Sequence, residues 1–116
     1  MTTPDFDAMD RDQLLAEAKR MHALLWTPET ADFLKGVPLE IAHQRDRWGD
    51  NHDARKDPFD WYWGLGYLGK KAADCCIASN FEKAKHHCIT VAALAGNWHR
   101  WVKAKEAAAL ENSPQN

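Results

Sequence analysis

Long apolar runs, blocks of basic residues, a disulfide framework and β-type alternation are all missing from this chain of 116 residues. No segment approaches the roughly 18 apolar residues that a membrane span needs, and no secretory pattern opens the sequence, so no membrane association is expected. The net charge is -2 and the Lys and Arg residues are scattered, so the electrostatic footprint of a duplex DNA or RNA binder is missing. Cysteine is scarce. Cys75 and Cys76 are adjacent, a geometry that relaxed helix cannot bridge, and Cys88 leaves the number odd. All three read as reduced thiols of a cytoplasmic protein. With no internal repeat, no low-complexity block and no strand-like alternation, the remaining signal is helical periodicity.

That signal recurs along the chain. Asp7 or Asp10 is an expected N-cap, and from Asp10 to Trp26 the positions Leu14, Leu15, Ala18, Met21, Leu24 and Leu25 return at three and four. Thr27-Pro28-Glu29 is a helix start, with Gly36 expected to end a short piece. Val37 to Trp48 then begins a second substantial helix, with Pro38 in its first turn. Gly49-Asp50-Asn51 breaks it, leaving His52, Asp53 and Lys56 on a loop that Pro58 closes. Pro58 to Ala78 is apolar nearly all round, which predicts burial on most sides. Gly64, Gly66 and Gly69 in that helix point to close packing or backbone approach to a ligand. Ser79-Asn80 caps a fourth helix running to about Ala109, with Ala84, Cys88, Val91, Ala92, Ala95, Trp98 and Val102 expected inward. The length fits one domain. The expected division is a loosely held 1–9, a helical domain over 10–106 and a polar tail over 107–116. The class is all-α, a four-helix bundle-like arrangement in which sites form between facing helices.

Function is expected in the stretch from Glu40 to Trp61, which is polar, charged or tryptophan at nearly every position. Glu40, His43, Gln44 and Arg47 fall on one face of about two helical turns. Asp60 and Trp61 open the following helix. Polar residues on the later helices add to them: Lys70 and Asp74 one turn apart, and His86, His87, Thr90 and Asn97 on a mainly apolar helix. Buried polar groups need partners, and Glu40, His43, Gln44 and Asp60 are the natural ones.

Three chemistries suit this set. Glu40, His52, Asp53, Asp60 and His87 are oxygen and imidazole donors of the kind that hold a divalent metal such as Mg²⁺, Mn²⁺ or Zn²⁺, although no HExxH spacing occurs. Alternatively, Arg47, Lys56 and Lys70 hold phosphates while Trp48 or Trp61 stacks on a base, with Gln44, Thr90 and Asn97 as further ligand contacts. The third reading is a satisfied polar network that fixes helix register. In a hydrolytic version Glu40 is base or metal ligand, His43 or His87 is acid or ligand, and Lys70 with Arg47 offsets phosphate charge.

The run Glu40-x-x-His43-Gln44-x-x-x-Trp48-Gly49, followed by His52-Asp53, Lys56, Asp60-Trp61, Gly66-Tyr67-Leu68, Lys70 and His86-His87 through Asn97-Trp98-His99, resembles small phage and prophage proteins. These in turn are similar to phage-type MazG-like nucleoside triphosphate pyrophosphohydrolases. The resemblance covers about residues 33 to 101. It implies an oligomeric helical bundle, a homodimer or homotetramer, in which Mg²⁺ held by glutamates positions a nucleoside triphosphate, and a host cytoplasm as location. The family's glutamate motifs would fall at Gly66, Tyr67 and Lys70, and at His87 and Thr90, so those carboxylates are missing here. Either other residues hold another metal, or no metal is needed, or a nucleotide-like molecule is bound without hydrolysis. The contrasting expectation is a non-enzymatic interaction protein that sequesters a host signalling nucleotide or docks on a host protein.

Overall fold

The computed structural model describes residues 5–112, so the outermost parts of the two expected loose ends lie outside the described residues. Within them the chain is all-helical. A short 3-10 turn at Phe6–Ala8 precedes α1 (Arg11–Leu25), α2 (Pro28–Trp48), α3 (Asp50–Ala54), α4 (Pro58–Ile77) and α5 (Phe81–Glu111). The chain divides into two compact units, one up to Leu34 and one from Lys35 onward, with the boundary inside α2.

In the first unit, Asp10 is the N-cap of α1. Its Oδ1 accepts from the Gln13 backbone N–H at 2.8 Å while Gln13 Oε1 accepts from the Asp10 N–H at 2.9 Å, a reciprocal capping box. Thr27 Oγ1 accepts from the Thr30 N–H at 3.1 Å, closing the start of α2.

α2 corrects two expectations. It is one continuous helix through Gly36 and Pro38, with no stop between them. Gly36 is there for packing: a Cβ at that position would stand 2.9 Å from Ile89 Cδ1. Pro38 sits in the helix interior, where it removes one backbone bond. The chain after α2 is also more regular than a loop. Gly49, at φ 78°, turns it into the five-residue α3, which carries His52 and Asp53.

The second unit is built on an antiparallel hairpin of α4 and α5. Asp57 caps α4 by accepting from the N–H groups of Phe59 and Asp60 at 2.8 and 2.9 Å, and Asp60 Oδ2 accepts from the Asp57 N–H at 2.8 Å. Ser79 takes a left-handed conformation, φ 58°, to reverse the chain. Asn80 then accepts from the Lys83 N–H to begin α5. Trp61, fully buried, lies parallel to Trp98 at 6.4 Å and tilted against Trp101 at 6.2 Å. Lys56 Nζ covers its ring at 4.0 Å. Gly64 lets α5 approach closely, since a Cβ there would stand 2.8 Å from Leu94 Cδ2. α2 meets α5 at a few points, with Gly36 at Ile89 and Ile41 at Gly96.

The buried line of α5 is Ala84, Ala93 and Asn97, whereas Cys88, Ala95 and Val102, expected inward, are exposed. α4 is likewise not buried on most sides: only Trp61 is, and Phe59, Tyr62, Trp63, Tyr67 and Ile77 face outward. Hydropathy alone does not tell which of two apolar faces a neighbour covers. All three cysteines are free thiols.

Asp50 ties α3 to its neighbours. Arg100 Nη1 donates to Asp50 Oδ1 at 3.0 Å, and Arg45 Nη2 stands 3.8 Å away. The Arg100 hydrogen bond, then the charges of Arg100 and Arg45, hold the Asp50 carboxyl below its ordinary value. A depressed carboxyl contributes stability above its unfolded value and loses it as the pH falls through the lower folded value. A carboxyl-carbon NMR titration is therefore expected to place the Asp50 midpoint below the ordinary aspartate range, and Arg100→Ala to return it. A midpoint indifferent to Arg100 would refute the tie.

Candidate functional site

Three clefts in the second unit divide the predicted site residues. The first, about 420 Å³, lies between α2 and α5 and is lined by Glu40, His43, Gln44, Arg47, Trp48 and His86. The second, about 260 Å³, is lined by Asp50, Asp53, Asn97, Arg100 and Trp101, with two small alanines. The third, about 410 Å³, is lined by His52, Arg55, Lys56 and Asp60.

The first cleft follows from helical spacing. Residues 40, 43, 44 and 47 share one face of α2, and where α5 meets that face it contributes His86. Its floor is a fixed amide. Gln44 Nε2 donates to the Thr90 carbonyl at 3.1 Å, and Gln44 Oε1 accepts from Asn97 Nδ2 at 3.0 Å. Asn97 Nδ2 also lies 3.5 Å from the Ile41 carbonyl, and Thr90 Oγ1 donates to the His86 carbonyl at 3.0 Å. Gln44 and Asn97, predicted as ligand contacts, thus spend much of their hydrogen-bonding capacity on holding α2 to α5, while the hydroxyl of Thr90, also predicted as a ligand contact, is used within α5. The buried Asn97 Oδ1 has no hydrogen-bond partner among the described residues.

The wall is cationic and aromatic. The Arg47 guanidinium carbon stands 4.9 Å from the centre of the Trp48 ring, and His52 stacks on Trp48 at 5.3 Å with the planes 28° apart. Trp48 is 53% exposed, so a flat group can still reach it. Glu40 is the cleft's carboxylate, and His43 and His86 are its imidazoles.

Other predicted site residues are elsewhere. Lys70 bonds Asp74 at 2.8 Å on exposed α4 surface, a pairing that raises its pKa, and it lines none of the three clefts. The trio Glu40, His43 and Lys70 is therefore not assembled. Trp61 is core, with no face open to a base. Lys56 is turned onto the Trp61 ring and pairs with Asp53 at 3.0 Å.

The proposed metal ligands are equally dispersed. Glu40 is in the first cleft, Asp53 in the second, and His52 and Asp60 in the third, while His87 lines none of them. Asp60 is engaged as the capping-box acceptor of α4. Among the described residues no three His, Cys, Asp or Glu side chains gather closely enough to hold one ion. As placed, these residues do not fit a shared metal.

His86 takes the place expected for His87, and its signal was present in the sequence. His86, Thr90, Ala93 and Asn97 form one stripe at turn spacing, the stripe that meets Gln44. The Trp48–His52 stack had no such signal, because it depends on the turn at Gly49. No family model, curated protein or solved structure matches the chain.

Proposed function

We propose that the protein binds a nucleotide-like phosphate ligand in the α2–α5 cleft and holds it without turnover. The observation that carries this reading is Arg47 braced on the half-open Trp48 ring beside His43, Gln44 and His86. Guanidinium forks suit phosphate oxygens, and an indole face suits a base. The volume, about 420 Å³, falls within the range of small-molecule sites. Lys70, needed for the hydrolytic version, is paired on another surface. On this proposal the chain is a MazG-like bundle that keeps ligand recognition and has lost the glutamates of the hydrolases.

Calorimetry and thermal melting with ATP, GTP, pyrophosphate and adenosine test it. The nucleotides are expected to raise the melting temperature more than adenosine does, with no phosphate or pyrophosphate released. Arg47→Ala should weaken nucleotide binding about 10- to 100-fold, the loss of a charge-assisted hydrogen bond. Trp48→Ala should weaken nucleotides about 5- to 100-fold and pyrophosphate much less, since pyrophosphate loses only the brace on Arg47. Failure of every nucleotide to bind would sink the proposal. Turnover that Glu40→Ala abolishes would replace it with the hydrolase reading.

A further inference from the structure

We infer that the ligand of the α2–α5 cleft is a dinucleotide, carrying a second phosphate that Arg55 holds in the neighbouring cleft, beyond the Trp48–His52 stack. This inference rests on the nucleotide reading above and narrows it to one class of molecule.

The first and third clefts share a wall. Trp48 lines one, His52 lines the other, and the two rings stack at 5.3 Å. Gly49 makes this possible, since its φ of 78° turns the chain between the end of α2 and the start of α3 and brings the two rings together. Beyond the stack, His52, Arg55 and Lys56 recur at three and four and so share one side of α3 and the turn that follows it. The two clefts hold about 420 and 410 Å³, each within the range of a small-molecule site. Every residue lining them belongs to the unit from Lys35 onward.

Charge pairing indicates where phosphates would go. That unit has four arginines, Arg45, Arg47, Arg55 and Arg100. Arg100 donates to Asp50, and Arg45 stands 3.8 Å from the same carboxylate. Lys56 is held by Asp53 at 3.0 Å and lies over the Trp61 ring. Arg47 and Arg55 have no carboxylate partner among the described residues, and each lines one of the two clefts, on either side of the stack. An unpaired guanidinium fork is matched to phosphate oxygens, and the half-exposed indole between the two forks is matched to a base. Phosphates joined directly to one another stay in one cleft, whereas a nucleoside spacer carries the second past the rings to Arg55.

The carboxylates limit the length. Glu40 lines the first cleft, and Asp60, already accepting from the Asp57 N–H, lines the third. Asp46, Asp50, Asp53 and Asp57 occupy the same stretch of chain. A third phosphate would meet this acidic surface with no further unpaired arginine to receive it, so the site takes two phosphates and not a long strand.

Calorimetry of the full chain with AMP, the dinucleoside monophosphate ApA, its 5′-phosphorylated form pApA and an oligoadenylate of about ten residues tests this. pApA is expected to bind about 10- to 100-fold more tightly than AMP or ApA, the effect of a second charge-assisted hydrogen bond. Arg55→Ala should abolish that gain while leaving AMP binding and the melting temperature of the free protein unchanged, because the side chain has no partner to lose. Arg55→Lys should keep part of the gain, and Arg47→Ala should weaken AMP, ApA and pApA alike. AMP binding with pApA no tighter, or a gain that survives Arg55→Ala, would overturn the inference and leave the nucleotide reading standing. No binding by any of the four would remove both. An oligoadenylate bound tenfold or more above pApA would overturn the two-phosphate limit in favour of a single-strand interface.

Discussion

Trp61→Ala is expected to lower the unfolding free energy by about 3–5 kcal/mol, the largest effect of any single truncation in this protein. Among the described residues Trp61 is the one large side chain that is fully buried, and it is where α4, α5 and Lys56 meet. Deleting the indole removes the stacking partner of Trp98 and Trp101 and leaves a cavity that helices capped at Asp57 and Asn80 cannot easily close. A domain stable by about 5–15 kcal/mol loses a large share of its margin in this way. Trp61→Phe should cost far less, for two reasons. The ring contacts persist, and the buried indole Nε1, which has no acceptor among the described residues, is removed with its desolvation cost. Urea unfolding followed by circular dichroism measures both variants. Equal losses for alanine and phenylalanine would show that the ring stack is not what holds the hairpin.

Asn97→Asp is expected to be nearly as damaging at neutral pH, about 3 kcal/mol, although it changes a single atom. Asn97 is 5% exposed and its Nδ2 donates toward two acceptors, Gln44 Oε1 and the Ile41 carbonyl. A carboxylate there would place an oxygen against those acceptors and bury a charge, so its folded pKa would rise above the unfolded value of about 3.9. The sign follows from linkage. Between the unfolded and the raised folded value the native state binds more protons, so stability falls as the pH rises through that window and recovers on acidification. Asn97→Ala should cost about 1–3 kcal/mol with no such pH dependence. Thermal melts of the two variants from mildly acidic to neutral pH separate these outcomes. A pH-independent deficit for Asn97→Asp would mean that the position is wetter than its exposure indicates.

The all-α class and most helix starts were legible because they depend on local chemistry. Asp10, Thr27 and Asn80 cap where their side chains allow, and Pro58 opens α4 as a first-turn proline should. The grouping of Glu40, His43, Gln44 and Arg47 was legible for the same reason, since i, i+3, i+4 and i+7 share a face whatever the fold. Features that depend on a distant partner were not. Gly36 reads as a helix stop until Ile89 is seen against it. Asp60 reads as a ligand, yet Asp57-Pro58-Phe59-Asp60 is a capping box, a signal the sequence contains but that the nearby histidines and lysine overshadowed. Lys70 and His87 fall on helix sides away from the α2–α5 cleft, and only the hairpin register decides that. Trp48 and Trp61 look interchangeable as stacking platforms in the sequence. One is half exposed and the other is sealed, because Trp48 ends its helix just before the turn at Gly49 while Trp61 is packed against Trp98, Trp101 and Lys56.

α5 is 31 residues long and α4 only 20, and the two are joined at a tight turn, so α5 outruns its partner. Trp101 is the last α5 side chain in contact with Trp61, and from Val102 to Glu111 every residue is exposed. At 1.5 Å per residue this spur is about 15 Å of helix with no neighbour from α4. A segment of roughly ten residues is too short to sustain itself as a free helix in water. It persists because the packed portion has already borne the cost of nucleation, and each further turn merely propagates. Warming should therefore unwind the spur from its free end before the tryptophan cluster loosens. The ellipticity would decline gradually ahead of a cooperative fluorescence transition, and amide protection would decrease steadily toward Glu111.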